Sequence, residues 1–589
     1  MSEKNKQFIH NQLIYLYGPE KGSECNKNLT RMLERYSRKI QRAFKPNQPL
    51  FDERDVILIT YSDLLRQPDQ PPLQSLQSFY QKYLARTINS IHILPFFPYS
   101  SDDGFSVINY KAVDPALGGW QDITQFSSTG VRLMFDAVIN HISAHSDWFK
   151  HYLHGNPRYS NYFIEVDPKT DLSMVTRPRA LPLLTAFKTS HGVRHLWTTF
   201  SADQVDLNYH NPDTLLDVLD VLLFYIEQGA DLIRLDAIAY VWKEVGTSCI
   251  HLPQTHAIIQ LIRAMLNEVA PDVLLITETN VPHEENISYF GDGSNEAHLV
   301  YQFALPPLTA HALLTGSAVY LTQWASSLHT LSDETTFFNF TASHDGIGIR
   351  PVIGILPPED INLLTERTLA HGGYISSKTD PDGSKSPYEL NITYFDLLND
   401  SNAGEPQELQ VKRFLVSQAI LLAMSGIPGI YIHSLLGSRN YTQGVKLTNL
   451  PRAINRQKLL LQDVTDELDN PSSLRHAVFH GYQHLLAQRI QHSAFHPNGN
   501  QRVLQLNNSV FSLLRVSPDG SETILALHNV SNQPQLITFN PVDWGLSGNS
   551  IIVNIFNETD QPVRADLTVY LEPYEVSWFK ISESLPPKP

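Results

Sequence analysis

Between residues 55 and 432 the chain alternates short apolar, β-branched runs with longer stretches of helical periodicity. The runs are VILIT (56–60), SIHILPF (90–96), RLMFDAV (132–138), DLIRLDA (231–237), VLLITET (273–279), TTFFNF (335–340) and GIYI (429–432). Alternation of this kind predicts parallel β/α units, and seven or eight of them close into a (β/α)8 TIM barrel. Two intervals, 142–205 and 346–405, are too long for a single crossover helix. They are expected to be insertion subdomains after strands 3 and 7, lying over the active face.

The pattern differs at both ends. Residues 1–54 predict an N-terminal helical extension, because LTRMLERYSRKIQRAF places apolar residues at helical spacing among charges. The barrel domain is then 55–495. Beyond it, RVLQLN, VFSLLRVS, ETILALHNVS, SIIVNIFN and LTVYLEPYEVSWFKI alternate with period two. They predict a C-terminal antiparallel β domain over 496–589, closed by a frayed SLPPKP tail. One uncharged stretch, 414–437, has the length of a membrane helix, but SGIPG divides it into a buried helix and a short strand.

Composition narrows the function. With 42% hydrophobic and 18% charged residues the chain reads as soluble and globular. A net charge of −16, from 60 acidic and 44 basic residues, disfavours a nucleic-acid partner. The two cysteines, Cys25 and Cys249, form neither a disulfide framework nor a metal-like spacing. The N-terminus has no apolar run with a cleavage site, so a cytoplasmic protein with no membrane partner is expected.

Four apolar runs end in charge or histidine: DAVINH (136–141), RLDA (234–237), ITET (276–279) and ASHDG (342–346). One strand-end Asp is usually a cap or turn residue, but four at successive strand ends of a barrel point to a site. Several carboxyls around one point suit glycoside transfer, in which one attacks the anomeric carbon and another protonates the leaving oxygen. Asp236 suits the nucleophile because Arg234 keeps it ionised. Glu278 closes an apolar strand, where desolvation raises its pKa and suits it as acid and then base. Asp345 beside His344 suits gripping sugar hydroxyls and favouring a distorted ring.

This ordered set resembles the signature regions of the α-amylase clan, glycoside hydrolase family 13, with QVDLNY (204–209) resembling a fifth. LITYSD, HILPFFPYSSDDGFS, TRPRALP, LWTTFSADQVDLN, EVGTSC, FALPPL, SHDGIG and the INR of RAINR resemble its sucrose phosphorylase subfamily. The resemblance implies a two-step retaining phosphorylase. Asp236 would form a β-glucosyl ester, Glu278 would act as acid/base and Asp345 would stabilise the transition state. Inorganic phosphate would then release α-glucose 1-phosphate. It further implies that Asp102, Phe105, His141, Gln204, Arg234, Tyr240, His344 and Arg456 bind the glucosyl unit. Phe105 and Tyr240 read equally well as core aromatics. Arg179 matches a phosphate-contacting position, and Tyr388 matches an acceptor-loop residue.

Two departures lie on the acceptor side. Asn280 stands where sucrose phosphorylases carry a histidine, and KSPYE (385–389) lacks their leucine-aspartate pair before the tyrosine. ETN, SPYE and GSRN look more like the glucosylglycerate and glucosylglycerol phosphorylase branch, where Lys385 and Arg179 would counter a glycerate carboxylate. Sucrose is taken as the first donor and glucosylglycerate or glucosylglycerol as the alternative. A family 13 hydrolase or transglucosidase and a non-catalytic sugar-binding protein are the further readings. The clan's structural calcium has no ligand set here, Asn140 alone being insufficient. No cofactor and no metal are expected, and the partners are the small-molecule α-glucoside and phosphate, with a homodimer the one assembly considered.

Overall fold

The computed structural model describes residues 2–40, 42, 49–179, 181–379, 384–540, 550–562 and 567–583; the SLPPKP tail lies outside them. Eight parallel strands close a barrel: β1 (Ile57–Thr60), β2 (Ser90–Ile93), β3 (Arg132–Ala137), β4 (Ala230–Leu235), β5 (Leu274–Thr277), β6 (Leu299–Tyr301), β7 (Thr336–Phe340) and β8 (Ile427–Tyr431). Closure pairs Leu58 of β1 with Ile430 of β8 on one side and with Ile91 of β2 on the other. Most residues of these strands are buried, as expected when helices cover the outer face of a parallel sheet. The seven apolar runs all contain barrel strands. The one without a sequence signal, β6, has three residues, too few to show a period, and a helix begins soon after it at Leu305.

The N-terminal extension is α1 (Glu3–Ser37), bent sharply at Gly18 and Pro19. Gly18 adopts φ 77° and ψ 172°, a conformation that essentially only glycine takes without strain. The bend brings Gly22 against the first arm, where a Cβ would stand 2.6 Å from the Leu13 carbonyl oxygen. Both arms pack on the barrel's outer helices α2 (Pro212–Glu227) and α3 (Pro253–Val269). Asn5 donates to the Ala264 carbonyl at 2.8 Å, and the Tyr36 hydroxyl to the Asp220 carbonyl at 3.3 Å. Beyond α1, Arg42 pairs with Asp231, donates to Asp272 at 2.7 Å and donates to the Ala230 carbonyl at 3.1 Å. Asp231 lies at the start of β4 and Asp272 just before β5, the two strands whose far ends carry Asp236 and Glu278.

The first insertion holds the hairpin Leu184–Thr189 with Gly192–Trp197, and the second holds the antiparallel pair Tyr374–Thr379 with Lys385–Asn391. The C-terminal region forms a six-stranded sheet and a two-stranded sheet, with Leu525, Leu527, Ile537, Val569 and Leu571 in its core. Arg515 ties it to the barrel by donating to the Ala423 carbonyl at 2.6 Å. No helix among the described residues is long and apolar enough to cross a membrane.

Because Arg42 joins the bases of β4 and β5 from a partly buried position, Arg42→Met should lower stability by about 2 kcal/mol, between a surface pair and a buried one. The denaturation midpoint should fall in a urea titration while the circular dichroism of the folded chain stays that of the parent.

Candidate active site

The polar interior of the barrel begins with β3 and β4. Asp136 and Arg234 are register partners on these adjacent strands and are in direct contact. His92 from β2 holds the other Asp136 oxygen at 2.6 Å, and the Arg234 Nε donates to the Tyr301 hydroxyl at 3.0 Å. Arg234 reaches Asp236 Oδ1 at 2.8 Å with Nη1 and Glu278 Oε2 at 3.8 Å with Nη2. The cation two residues before Asp236 thus gathers three carboxylates, one deep in the barrel and two at its mouth.

Local backbone strain completes the pairing. Ala237, directly after Asp236, is left-handed at φ 47° and ψ 33°, which is uncommon for a residue with a Cβ. This turn lets its N–H donate to Glu278 Oε2 at 3.0 Å. Burial raises both Asp236 and Glu278 above the ordinary carboxylate range against the pull of Arg234, with Glu278 adding to the rise of Asp236 and Asp345 to both. Arg234 donates directly to Asp236 and stands farther from Glu278, so its cation favours the charged form of Asp236 more than that of Glu278.

Around this pair lies a cavity of about 920 Å³ including its open mouth, at the C-terminal ends of the strands. Asp102, Phe105, His141, Arg179, Gln204, Asp236, Glu278, Asn280, His344, Asp345 and Tyr388 line it, so eleven of the fifteen residues singled out from the sequence meet at one opening. Phe105 stacks on His344 with ring centres 4.8 Å apart and planes 1° from parallel. His141 Nε2 contacts the Phe105 carbonyl at 2.8 Å and the Gln204 amide at 3.2 Å. Burial lowers the His344 pKa to about 3, so this imidazole is neutral. Asn280 Oδ1, His344 Nδ1 and Arg456 Nη2 are buried with no hydrogen-bond partner among the described residues.

Arg234 and Arg456 stand behind the lining. Arg456 donates to the His344 carbonyl at 2.7 Å and to Asp103 at 2.6 Å. Tyr240 packs edge to face on Phe200 at 5.7 Å, outside the lining. Lys385 is not brought to the cavity: it sits at the start of its strand opposite Thr379, exposed, three residues before Tyr388. Three residues of strand carry the chain about 10 Å, enough to leave its ammonium in solvent.

Other residues of the site lie outside those singled out from the sequence. Arg452, Glu389, Asn455, Phe200 and Phe303 also line the cavity. Arg179 donates to Asp102 at 3.0 Å and its guanidinium lies 5.5 Å from the Phe200 ring centre. Burial would raise the Asp102 carboxyl, but Arg179, Arg452 and Arg456 outweigh it and hold the group well below the usual range. Beside the site, the buried ammonium of Lys243 joins Asn140 at 2.6 Å and Asp206 at 2.5 Å, placing a cation of the chain's own between these two oxygen ligands.

The "Alpha amylase, catalytic domain" profile matches residues 80–349 of this chain. The glucosylglycerate phosphorylase of Spirochaeta thermophila is 48% identical over 574 residues, covering 96% of this chain and 97% of that protein. The sucrose phosphorylase of Streptococcus mutans is 27% identical over 502 residues, covering 82% and 97%. The crystal structure of sucrose 6F-phosphate phosphorylase from Thermoanaerobacter thermosaccharolyticum shares the fold with a TM-score of 0.70 at 24% identity, covering 83% of this chain and 95% of that one.

Glu278 is one of the charges that raise Asp236, and Glu278→Gln removes it and leaves Arg234 in place. The Asp236 pKa should then fall from its raised value. Infrared difference titration of the protonated carboxyl band should show it losing its proton at lower pH than in the parent protein.

Proposed function

The chain belongs to the sucrose phosphorylase subfamily of glycoside hydrolase family 13, and from that premise we propose that it phosphorolyses glucosylglycerate, giving α-glucose 1-phosphate and glycerate. The identities favour this donor over the sucrose that the sequence reading placed first: 48% to a glucosylglycerate phosphorylase against 27% to a sucrose phosphorylase. The observation that carries the chemistry is the pair of carboxyls, Asp236 and Glu278, held by one guanidinium at the mouth of one cavity.

In the first half-reaction Asp236 attacks the anomeric carbon and the bond to the glycerate oxygen breaks. Glu278 gives its proton to that oxygen, leaving a β-glucosyl ester on Asp236. In the second, a phosphate oxygen attacks the same carbon, the ester bond breaks, and Glu278 takes the proton of the attacking phosphate. Two inversions restore the α configuration. Asp345, held anionic, stabilises the positive charge that develops on the ring in both steps. Asp102, His141 and His344 supply donors and acceptors for glucosyl hydroxyls, and Phe105 offers an apolar face.

Arg179 is the anion ligand of the acceptor side. Its planar fork suits a phosphate or a carboxylate, and both would occupy the same position beyond the anomeric carbon in successive steps. Asn280, with its free Oδ1, is placed to accept from an acceptor hydroxyl. A soluble cytoplasmic location fits these substrates.

The test is a phosphorolysis panel of glucosylglycerate, glucosylglycerol, sucrose and sucrose 6'-phosphate at millimolar phosphate. Glucosylglycerate should exceed each of the others at least about tenfold in kcat/KM, the range expected when a site's charged ligand loses its partner. Free glucose in place of glucose 1-phosphate would make the enzyme a hydrolase instead. Arg179→Ala should raise the phosphate KM by roughly 10- to 100-fold, the equivalent of one lost charge-assisted hydrogen bond. It should change kcat/KM for α-glucosyl fluoride, a donor with no acceptor group, far less.

A further inference from the structure

Arg452 lies four residues before Arg456, and its guanidinium is divided between two carboxylates. Nη1 meets Asp345 Oδ1 at 2.6 Å, while Nε and Nη2 engage both oxygens of Glu389, the former at 3.1 Å. Glu389 is buried, and it is the neighbour of Tyr388 on the strand Lys385–Asn391 that walls the acceptor side. That strand is also hydrogen-bonded to the segment directly after Asp345, with Ile347 opposite Leu390 and Gly348 opposite Glu389.

We propose that Arg452 is the positioning residue of the transition-state carboxylate Asp345, and that Glu389 aligns Arg452, so that the acceptor wall and the glucosyl pocket are one linked unit. This rests on the glucosyl-transfer reading of the cavity. The geometry favours Arg452 over Arg456 in this role, because Arg456 stands 3.6 Å from Asp345 and spends its other nitrogens on His344 and Asp103. His344 Nε2 is 3.4 Å from Asp345 Oδ2, and as a neutral ring it supplies no full charge.

The carboxylate also faces Arg234, Asp236 and Glu278, with the Tyr61 and Tyr431 phenols beyond. Burial raises Asp345, but Arg452 leads the groups that hold it well below the usual range. Loss of that cation must raise its pKa.

α-Glucosyl fluoride isolates the step, because fluoride leaves without acceptor contacts and kcat/KM reports formation of the glucosyl ester alone. Arg452→Gln should lower this value about 100-fold and Glu389→Gln about tenfold, as for loss of a direct and an indirect electrostatic partner. The double variant should be no worse than Arg452→Gln alone. Arg452→Lys, which restores the charge without the fork, should recover at least about tenfold, and it carries the test with Glu389→Gln should the Gln variant not fold. Infrared difference titration should show the Asp345 carboxylate taking up its proton at higher pH in Arg452→Gln than in the parent.

Fluoride consumption within about threefold of the parent, with only the phosphate KM raised, would make Arg452 an acceptor ligand and overturn the proposal. An Asp345 titration that stays in place would do the same. A parent enzyme that releases no fluoride would overturn the glucosyl-transfer reading itself.

Discussion

The site depends on a guanidinium buried inside a barrel. Arg234 is nearly inaccessible, and a lone charge there would cost several kcal/mol or more. It is tolerated because its nitrogens meet Asp136, Asp236 and the Tyr301 hydroxyl, with Glu278 just beyond. His92 holds Asp136 from the opposite side, so the deep end of the cluster is fixed from three strands. The mouth then inherits its geometry from the interior: Asp236 cannot turn away without leaving Arg234 unpaired, and Glu278 is kept within reach by the Ala237 N–H.

The same strands are anchored at their other ends. Arg42 bridges Asp231 and Asp272, so β4 and β5 are joined at the base by one arginine and near the mouth by another. Between these clamps the two strands run in register, Leu274 beside Leu232 and Thr277 beside Leu235. The N-terminal helices add a pad over α2 and α3, the helices that follow the first insertion and β4. The extension thus bears on the two strands that carry Asp236 and Glu278, and none of its described residues lines the cavity.

Much of the fold was legible because parallel barrel strands are buried on both faces and read as unbroken apolar runs. β6 was not, since LVY is too short to declare itself and its place is set by pairing with β5 and β7. The three carboxylates and their histidines were legible because each interrupts such a run at its end. Arg452 and Glu389 were hidden: one lies in a short helical turn within a loop and the other in an insertion strand, where charged residues are ordinary. Their meeting comes from tertiary packing of segments 63 residues apart. Lys385 illustrates the converse, a charge at a plausible sequence offset that the strand start leaves in solvent. Lys243 had no signal either, as a lysine after a strand usually points outward.

Charge matching is what would let so acidic a chain admit the anionic substrates proposed for it. Five carboxyls line the cavity, but Asp102 is paired with Arg179, Asp345 and Glu389 share Arg452, Asp236 has Arg234, and in the proposed reaction Glu278 starts protonated. The proposed reaction keeps that state. Before the first step the catalytic pair carries one negative charge, on Asp236; afterwards Asp236 is a neutral ester and Glu278, having given up its proton, carries the charge instead. Arg234 lies within 4 Å of both groups, so beside Asp136 it faces one anion of the pair in either state. In that proposal glycerate would leave and phosphate would enter as anions on the side of Arg179, and neither exchange would change the charge that the buried arginine must balance. A single fixed guanidinium can therefore serve both half-reactions without rearrangement, which is the electrostatic preorganisation that transfer between two anionic acceptors requires.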